Sequence, residues 1–121
     1  MKTILVVDDE WAIAEVLEAL LADEGYRVIV ANNGKQGLER LREWRPDLIM
    51  LDFMMPILDG PATFAALKAD PATASIPVIL MSSLPEETVA QRCAGYRSFL
   101  RKPFRIAAVL AAVDGALGRD P

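Results

Sequence analysis

The chain has 121 residues, enough for one domain with its own core. A hydrophobic fraction of 53% excludes an intrinsically disordered chain, and a net charge of −4 disfavours nonspecific binding to nucleic acid. The single Cys93 permits no internal disulfide, and no apolar run reaches the ~20 residues that span a bilayer. With no targeting segment at its start, a soluble, cytoplasmic protein is expected.

Thr3–Val7 reads as a strand, and Asp8-Asp9 follows it at once. Ile13, Val16, Leu17, Leu20 and Leu21 then recur at helical spacing, which predicts a helix from about Trp11 to Glu24 stopped by Gly25. Arg27–Ala31 is a second, half-buried strand. Asn32-Asn33-Gly34 turns the chain into a helix over 35–44, and Pro46 ends it. The third strand, 47–51, is continuously apolar after its first residue, as suits a sheet covered on both faces. Asp52 comes directly after it. Asp59 is placed to cap a helix running to about Ala69, which Asp70-Pro71 breaks. Strand four covers 76–81. Ser82-Ser83-Leu84-Pro85 opens a fourth helix that Gly95 closes, with Cys93 as a small apolar filler on it. Ser98–Leu100 is the fifth strand, and Lys102 follows it. Arg105–Leu117 is the last helix, and the tail from Gly118 is expected to fray.

Five strand–helix alternations predict one α/β domain over 1–121, with a parallel sheet, helices on both faces and right-handed crossovers. In such a sheet the strand C-termini share one edge. Asp8, Asp9, Asp52, Ser82 and Lys102 then meet there, at the ends of strands one, three, four and five. Carboxylates, a hydroxyl and an ammonium are the composition of a site for a hard divalent cation and a phosphoryl group. A carboxylate between a cation and a lysine can attack phosphorus and form an acyl phosphate.

Four blocks carry a resemblance: Ile4 to Glu10, Asp47 to Pro56 with Asp59-Gly60, Ile76 to Ser82, and Lys102-Pro103-Phe104. Together they resemble the receiver domain of bacterial two-component response regulators, the family of the chemotaxis protein CheY. The resemblance spans essentially the whole chain. It implies a doubly wound, flavodoxin-like (βα)5 fold with strand order 2-1-3-4-5. It implies that Asp52 is the phosphoacceptor and that Asp8 and Asp9 are the Mg²⁺ pair, Asp9 ligating directly and Asp8 mostly through water. Asp52 itself and the backbone carbonyl of Met54 complete the metal set, and Mn²⁺ could substitute. Lys102 would pair with Asp52 at rest and with the phosphoryl group afterwards. Ser82 would move toward that group, Phe99 would turn inward behind it, and Pro103 would follow a cis peptide. Gly60 would shape the turn into the third helix. The phosphoryl donor would be a histidine kinase or a histidine phosphotransfer protein, since this chain has no His.

The same resemblance sets expectations about output. Phosphorylation would remake the face of helix four, strand five and helix five, and the signal would pass by protein docking to a downstream target, with no direct nucleic-acid or membrane partner. The domain would be a monomer or a phosphorylation-dependent dimer. It would stand alone without an output module, or be a receiver cut from a longer regulator.

Other residues read more plainly. Glu10, Arg101 and Arg105 are expected to be solvated, and Trp44 to pack at a helix end. Trp11 is expected near the metal. Ser83 stands where the family commonly has a small Ala. Met54 and Leu84 put apolar chains where polar ones are common, which is expected to hinder the hydrolytic water and lengthen the phosphorylated lifetime. Helix four, in a stretch about two residues short, is expected to be short or mobile.

Three other functions share parts of this pattern. A haloacid-dehalogenase-type phosphohydrolase needs a second Asp two residues after the nucleophile, where Met54 stands. A flavodoxin-like electron carrier needs a phosphate-binding loop after strand one, where Asp8-Asp9-Glu10 would repel phosphate. A phosphorylation-independent interaction module has no need of the full acid–Ser–Lys set.

Overall fold

Side chains alternate across a strand, so a parallel sheet buried on both faces sorts its residues by parity. The computed structural model, which describes residues 1–118, follows this rule. Its elements are β1 (Thr3–Val7), α1 (Trp11–Asp23), β2 (Arg27–Ala31), α2 (Gly34–Arg40), β3 (Leu48–Asp52), α3 (Gly60–Ala69), β4 (Val78–Ser82), α4 (Glu86–Ala90), β5 (Ser98–Arg101) and α5 (Ile106–Ala116). The five strands form one parallel sheet in the order β2-β1-β3-β4-β5. Ile4, Val6, Leu48, Met50, Ile79 and Met81 pack with Leu17 and Leu21 of α1 and Val109 and Val113 of α5. Leu5, Val7, Ile49, Leu51, Val78 and Leu80 pack on the other face, with Phe64 and Leu67 of α3 and Val89 of α4. The central strands β3 and β4 are buried throughout, while the edges β2 and β5 are only partly covered.

Several boundaries differ from the sequence expectation. Pro77 has no N–H to give the ladder, so β4 starts at Val78 and runs through Ser82. β3 starts one residue late, at Leu48, after Asp47 has exchanged bonds with Thr3 (side chain accepting its N–H at 2.8 Å, backbone N–H donating to its carbonyl at 2.7 Å), and it ends on Asp52. Asp52 and Ser82 are therefore the last residues of their strands, not the first residues beyond them. Regular α2 stops at Arg40, and the bonds Arg42 N to Glu39 O and Glu43 N to Arg40 O tighten the chain into turns up to Trp44. The Trp44 ring then packs under the Arg27 guanidinium, 5.5 Å from its centroid.

The fourth helix is short, as expected, and ends well before Gly95. Two of its terminal hydrogen bonds are long, 3.4 Å for Val89 N to Pro85 O and 3.3 Å for Gln91 N to Glu87 O, and five residues are helical. Cys93 is buried, but it lies past the helix in the turn that follows. The expected fraying of the tail concerns residues 119–121, outside the described residues.

The loop from β3 to α3 is tightly built. Leu58 N–H bonds back to Pro56 O (2.8 Å), a three-residue turn that holds Ile57 at φ 71. That is a strained conformation for a β-branched residue. Asp59 caps α3 by accepting the Ala62 N–H (2.9 Å). Gly60 lies so close to the strand end that a Cβ would sit 2.5 Å from Phe53 Cα and 2.6 Å from the carbonyl oxygens of Asp52 and Phe53. Those atoms are backbone and cannot give way, so Gly60→Ala is expected to destabilise the fold by about 2–4 kcal/mol. Urea unfolding reads the loss, and an unchanged midpoint would contradict the close approach.

Candidate functional site

Backbone bonds set each polar side chain at the C-terminal edge of the sheet. Asp8 leaves β1 with its N–H bonded to Ala31 O at the end of β2 (3.1 Å). Asp52 closes β3 beside Met81 of β4, and Phe53 N–H bonds to Met81 O (2.8 Å). Ser82 closes β4 opposite Arg101, and its carbonyl accepts the Lys102 N–H (2.8 Å). That last bond carries Lys102 over the sheet edge, and the Lys102–Pro103 peptide is cis.

The Lys102 ammonium meets three carboxylates. It lies 2.9 Å from Asp8 Oδ2, 2.8 Å from Glu10 Oε1 and 3.2 Å from Asp52 Oδ1. Asp8 and Asp52 are buried. The ammonium is the cation that faces the buried Asp8 Oδ2. Burial, the Asp8 charge beside it and contact with the Asp9 carboxyl push the Asp52 pKa up to about 7, against the pull of Lys102. Burial works against the Lys102 charge as well, but hydrogen bonds to Glu10 and Asp8 and the charges of Asp52 and Asp8 outweigh it, so its pKa is raised.

Asp9 touches the Asp52 carboxyl and also borders open space. It lines a cavity of about 400 Å³ with Phe53, Met54, Met55, Pro56, Asp59 and Arg92. The Arg92 guanidinium forms part of this wall, 5.8 Å from the Phe53 ring centroid and 3.9 Å from Asp59 Oδ2. The Met54 side chain is exposed there, whereas Leu84 is half-buried against the apolar face of the sheet. Ser82 is buried and its Oγ accepts the Leu84 N–H (3.0 Å), which orders the turn into α4. Phe99 is partly buried on the face shared with α3 and α4. Trp11 opens α1 directly after Glu10 and is largely exposed. Arg101 is exposed, with its Nε donating to Ser83 O (3.3 Å).

Glu10 is the residue that sequence reasoning missed. It is exposed, as expected, but its carboxylate is engaged by Lys102. Glu is a poor helix N-cap, and here it caps nothing. Its position after two acids, one lysine distant in the sequence being their shared cation, was the available signal.

The carboxylates of Asp8, Glu10 and Asp52 offer oxygens within 4.8 Å of one another, with Asp9 adjacent in sequence. Hard oxygen donors outnumbering their one ammonium suit a small divalent cation. Among the described residues, no helix is long and apolar enough to cross a membrane.

A family model described as the response regulator receiver domain matches residues 4–114. The DNA-binding response regulator MtrA of Mycolicibacterium paratuberculosis is 34% identical over 121 residues, covering 98% of this chain and 52% of that protein. The chain spans about half the length of the curated relatives it matches. The signal receiver domain of a histidine kinase from Syntrophus aciditrophicus superposes with a TM-score of 0.89 at 34% identity, covering 98% of this chain and 91% of that one. The receiver domain of the sensor histidine kinase PA1611 from Pseudomonas aeruginosa PAO1 has a TM-score of 0.89 at 28% identity, covering 97% and 98%. It was solved with a magnesium ion coordinated in its active-site cleft.

Proposed function

The chain belongs to the response regulator receiver domain family, and from that we propose that it is a phosphoacceptor switch, taking a phosphoryl group onto Asp52 from a phosphohistidine donor. Receiver domains of response regulators take phosphate from histidine kinases; the donor here is a histidine kinase or a histidine phosphotransfer protein. The observation that carries the reading is the buried Asp52 carboxylate at a strand end, 3.2 Å from the Lys102 ammonium and beside Asp8.

An Asp52 oxygen forms the new P–O bond as the donor's P–N bond breaks, and the leaving imidazole keeps the electron pair and takes a proton. Lys102 supplies a point charge for the phosphoryl oxygens. Asp8, Asp9, Asp52 and the Met54 carbonyl are the residues we assign to Mg²⁺, for which Mn²⁺ can substitute. When bound there, Mg²⁺ keeps Asp52 anionic and offsets the charge of the transferred group. Ser82 Oγ, which here accepts the Leu84 N–H, would leave that bond and donate its proton to a phosphoryl oxygen. That movement would shift the β4–α4 turn and let Phe99 fill the space. The surface of α4, β5 and α5 would then select a downstream protein in the cytoplasm, through a monomer or a dimer formed on phosphorylation.

Intact-mass measurement after acetyl phosphate and Mg²⁺ is expected to show one added phosphoryl group in the wild type and none in Asp52→Ala. Trp11 fluorescence is expected to respond to Mg²⁺ and again to the donor. An unmodified wild type, or a modified Asp52→Ala, would refute the assignment. The wall of the cavity beside Asp9 bears on lifetime. Met54→Asn is expected to speed dephosphorylation, on the order of severalfold, by admitting and orienting water; equal decay rates would remove Met54 from that role.

A further inference from the structure

Glu10 starts α1, where a side chain ordinarily caps the helix, yet it accepts no capping hydrogen bond. Its backbone is pinned on both sides: its N–H donates to Asp8 Oδ1 (2.9 Å), and its carbonyl accepts from Ile13 and Ala14 (3.0 Å each). The carboxylate is left to reach over the sheet edge to Lys102 at 2.8 Å, closer than the 3.2 Å to Asp52.

An ammonium has three N–H donors. Asp8, Glu10 and Asp52 are three partners for them. Asp8 is buried, so surrendering its cation would leave a desolvated charge. The Glu10 side chain is 57% exposed and can return to water at little cost. We propose that Glu10 is a positioning residue that holds Lys102 in the resting site and competes with the phosphorylated Asp52 for it. This rests on Asp52 being the phosphoacceptor. A phosphoryl group adds charge and three acceptor oxygens on the same ammonium. Glu10 opposes it by retaining Lys102. The phosphorylated state is thereby weakened by a residue that touches neither phosphorus nor the acceptor.

The test uses beryllofluoride, a phosphoryl analogue, with saturating Mg²⁺ and Trp11 fluorescence as readout. Glu10→Gln is expected to bind it about three- to tenfold more tightly than wild type, and its phosphoryl group, followed by intact mass, should decay more slowly. In a Lys102→Met background the Glu10→Gln gain should vanish, because the competition acts through the lysine. Unchanged or weaker binding in Glu10→Gln overturns the inference, as does an equal gain without Lys102. A second measurement does not depend on that background. The ¹⁵N resonance of the Lys102 ammonium should differ between wild type and Glu10→Gln at rest and coincide in their beryllofluoride forms; identical resting signals refute the pairing. If wild type takes neither beryllofluoride nor a phosphoryl group, the phosphoacceptor reading fails and this inference with it. If wild type takes both and Glu10→Gln is no tighter, this inference alone fails.

Discussion

Asp52→Asn is expected to raise the stability of the metal-free domain at pH 8 by about 2–4 kcal/mol and to change it little at pH 4. The cause is the Asp52 pKa, raised from the usual 3.8 to about 7, first by burial and then by the charge of Asp8. Well below pH 4 the carboxyl is protonated in both the folded and the unfolded chain, and no difference arises. Between pH 4 and 7 the unfolded chain loses this proton while the folded one keeps it, so the contribution of Asp52 to stability falls as pH rises. Above pH 7 the loss is complete and constant. The full gap corresponds to on the order of 4 kcal/mol, and the lower part of the range allows for the Lys102 contact that Asn gives up. Denaturant unfolding in EDTA at several pH values measures it. A gain of the same size at pH 4, or none at pH 8, would show that the Asp52 charge is not what costs the fold.

Lys102→Met works in the other direction. Met keeps much of the length and apolar stem but removes the ammonium that pairs with Asp8, Glu10 and Asp52. Taking one partner from a buried ion pair typically costs about 3–5 kcal/mol, because the remaining charges stay desolvated. Two of the three here are buried. The variant should therefore unfold at a markedly lower urea concentration in EDTA at pH 8. Millimolar Mg²⁺ should restore more stability to it than to wild type, since a divalent ion replaces the missing charge. Lowering the pH toward 5 should also narrow the gap, as Asp52 takes up its proton. Equal midpoints for Lys102→Met and wild type in EDTA would mean that these carboxylates find their compensation in water.

Most of the site was legible because its residues follow apolar strands. The continuous apolar runs Ile4 to Val7 and Leu48 to Leu51, each followed by acid, read as strands of a sheet covered on both faces, and parallel strands bring Asp8, Asp52 and Lys102 to one edge. Glu10 was not legible in the same way. Its neighbours in sequence say that it begins a helix, while its partner Lys102 lies 92 positions away. Local pattern carries backbone direction but not the aim of a long, exposed side chain. Helix α4 was blurred for a related reason. Thr88 and Val89 have only modest helix preference, and Cys93 is buried beyond the helix end.

The amino-acid order alone determined the alternation of elements, the parity of the two apolar faces and the edge on which the acids, the serine and the lysine gather, because burial imposes a period of two on strands and near four on helices. Only the folded chain decided how one ammonium is divided among three carboxylates, that Asp9 lies between Asp52 and an adjoining cavity, and that the Asp52 proton is held up to about neutral pH. Charge and desolvation depend on distances between groups far apart in sequence, and those distances exist only once the sheet is assembled.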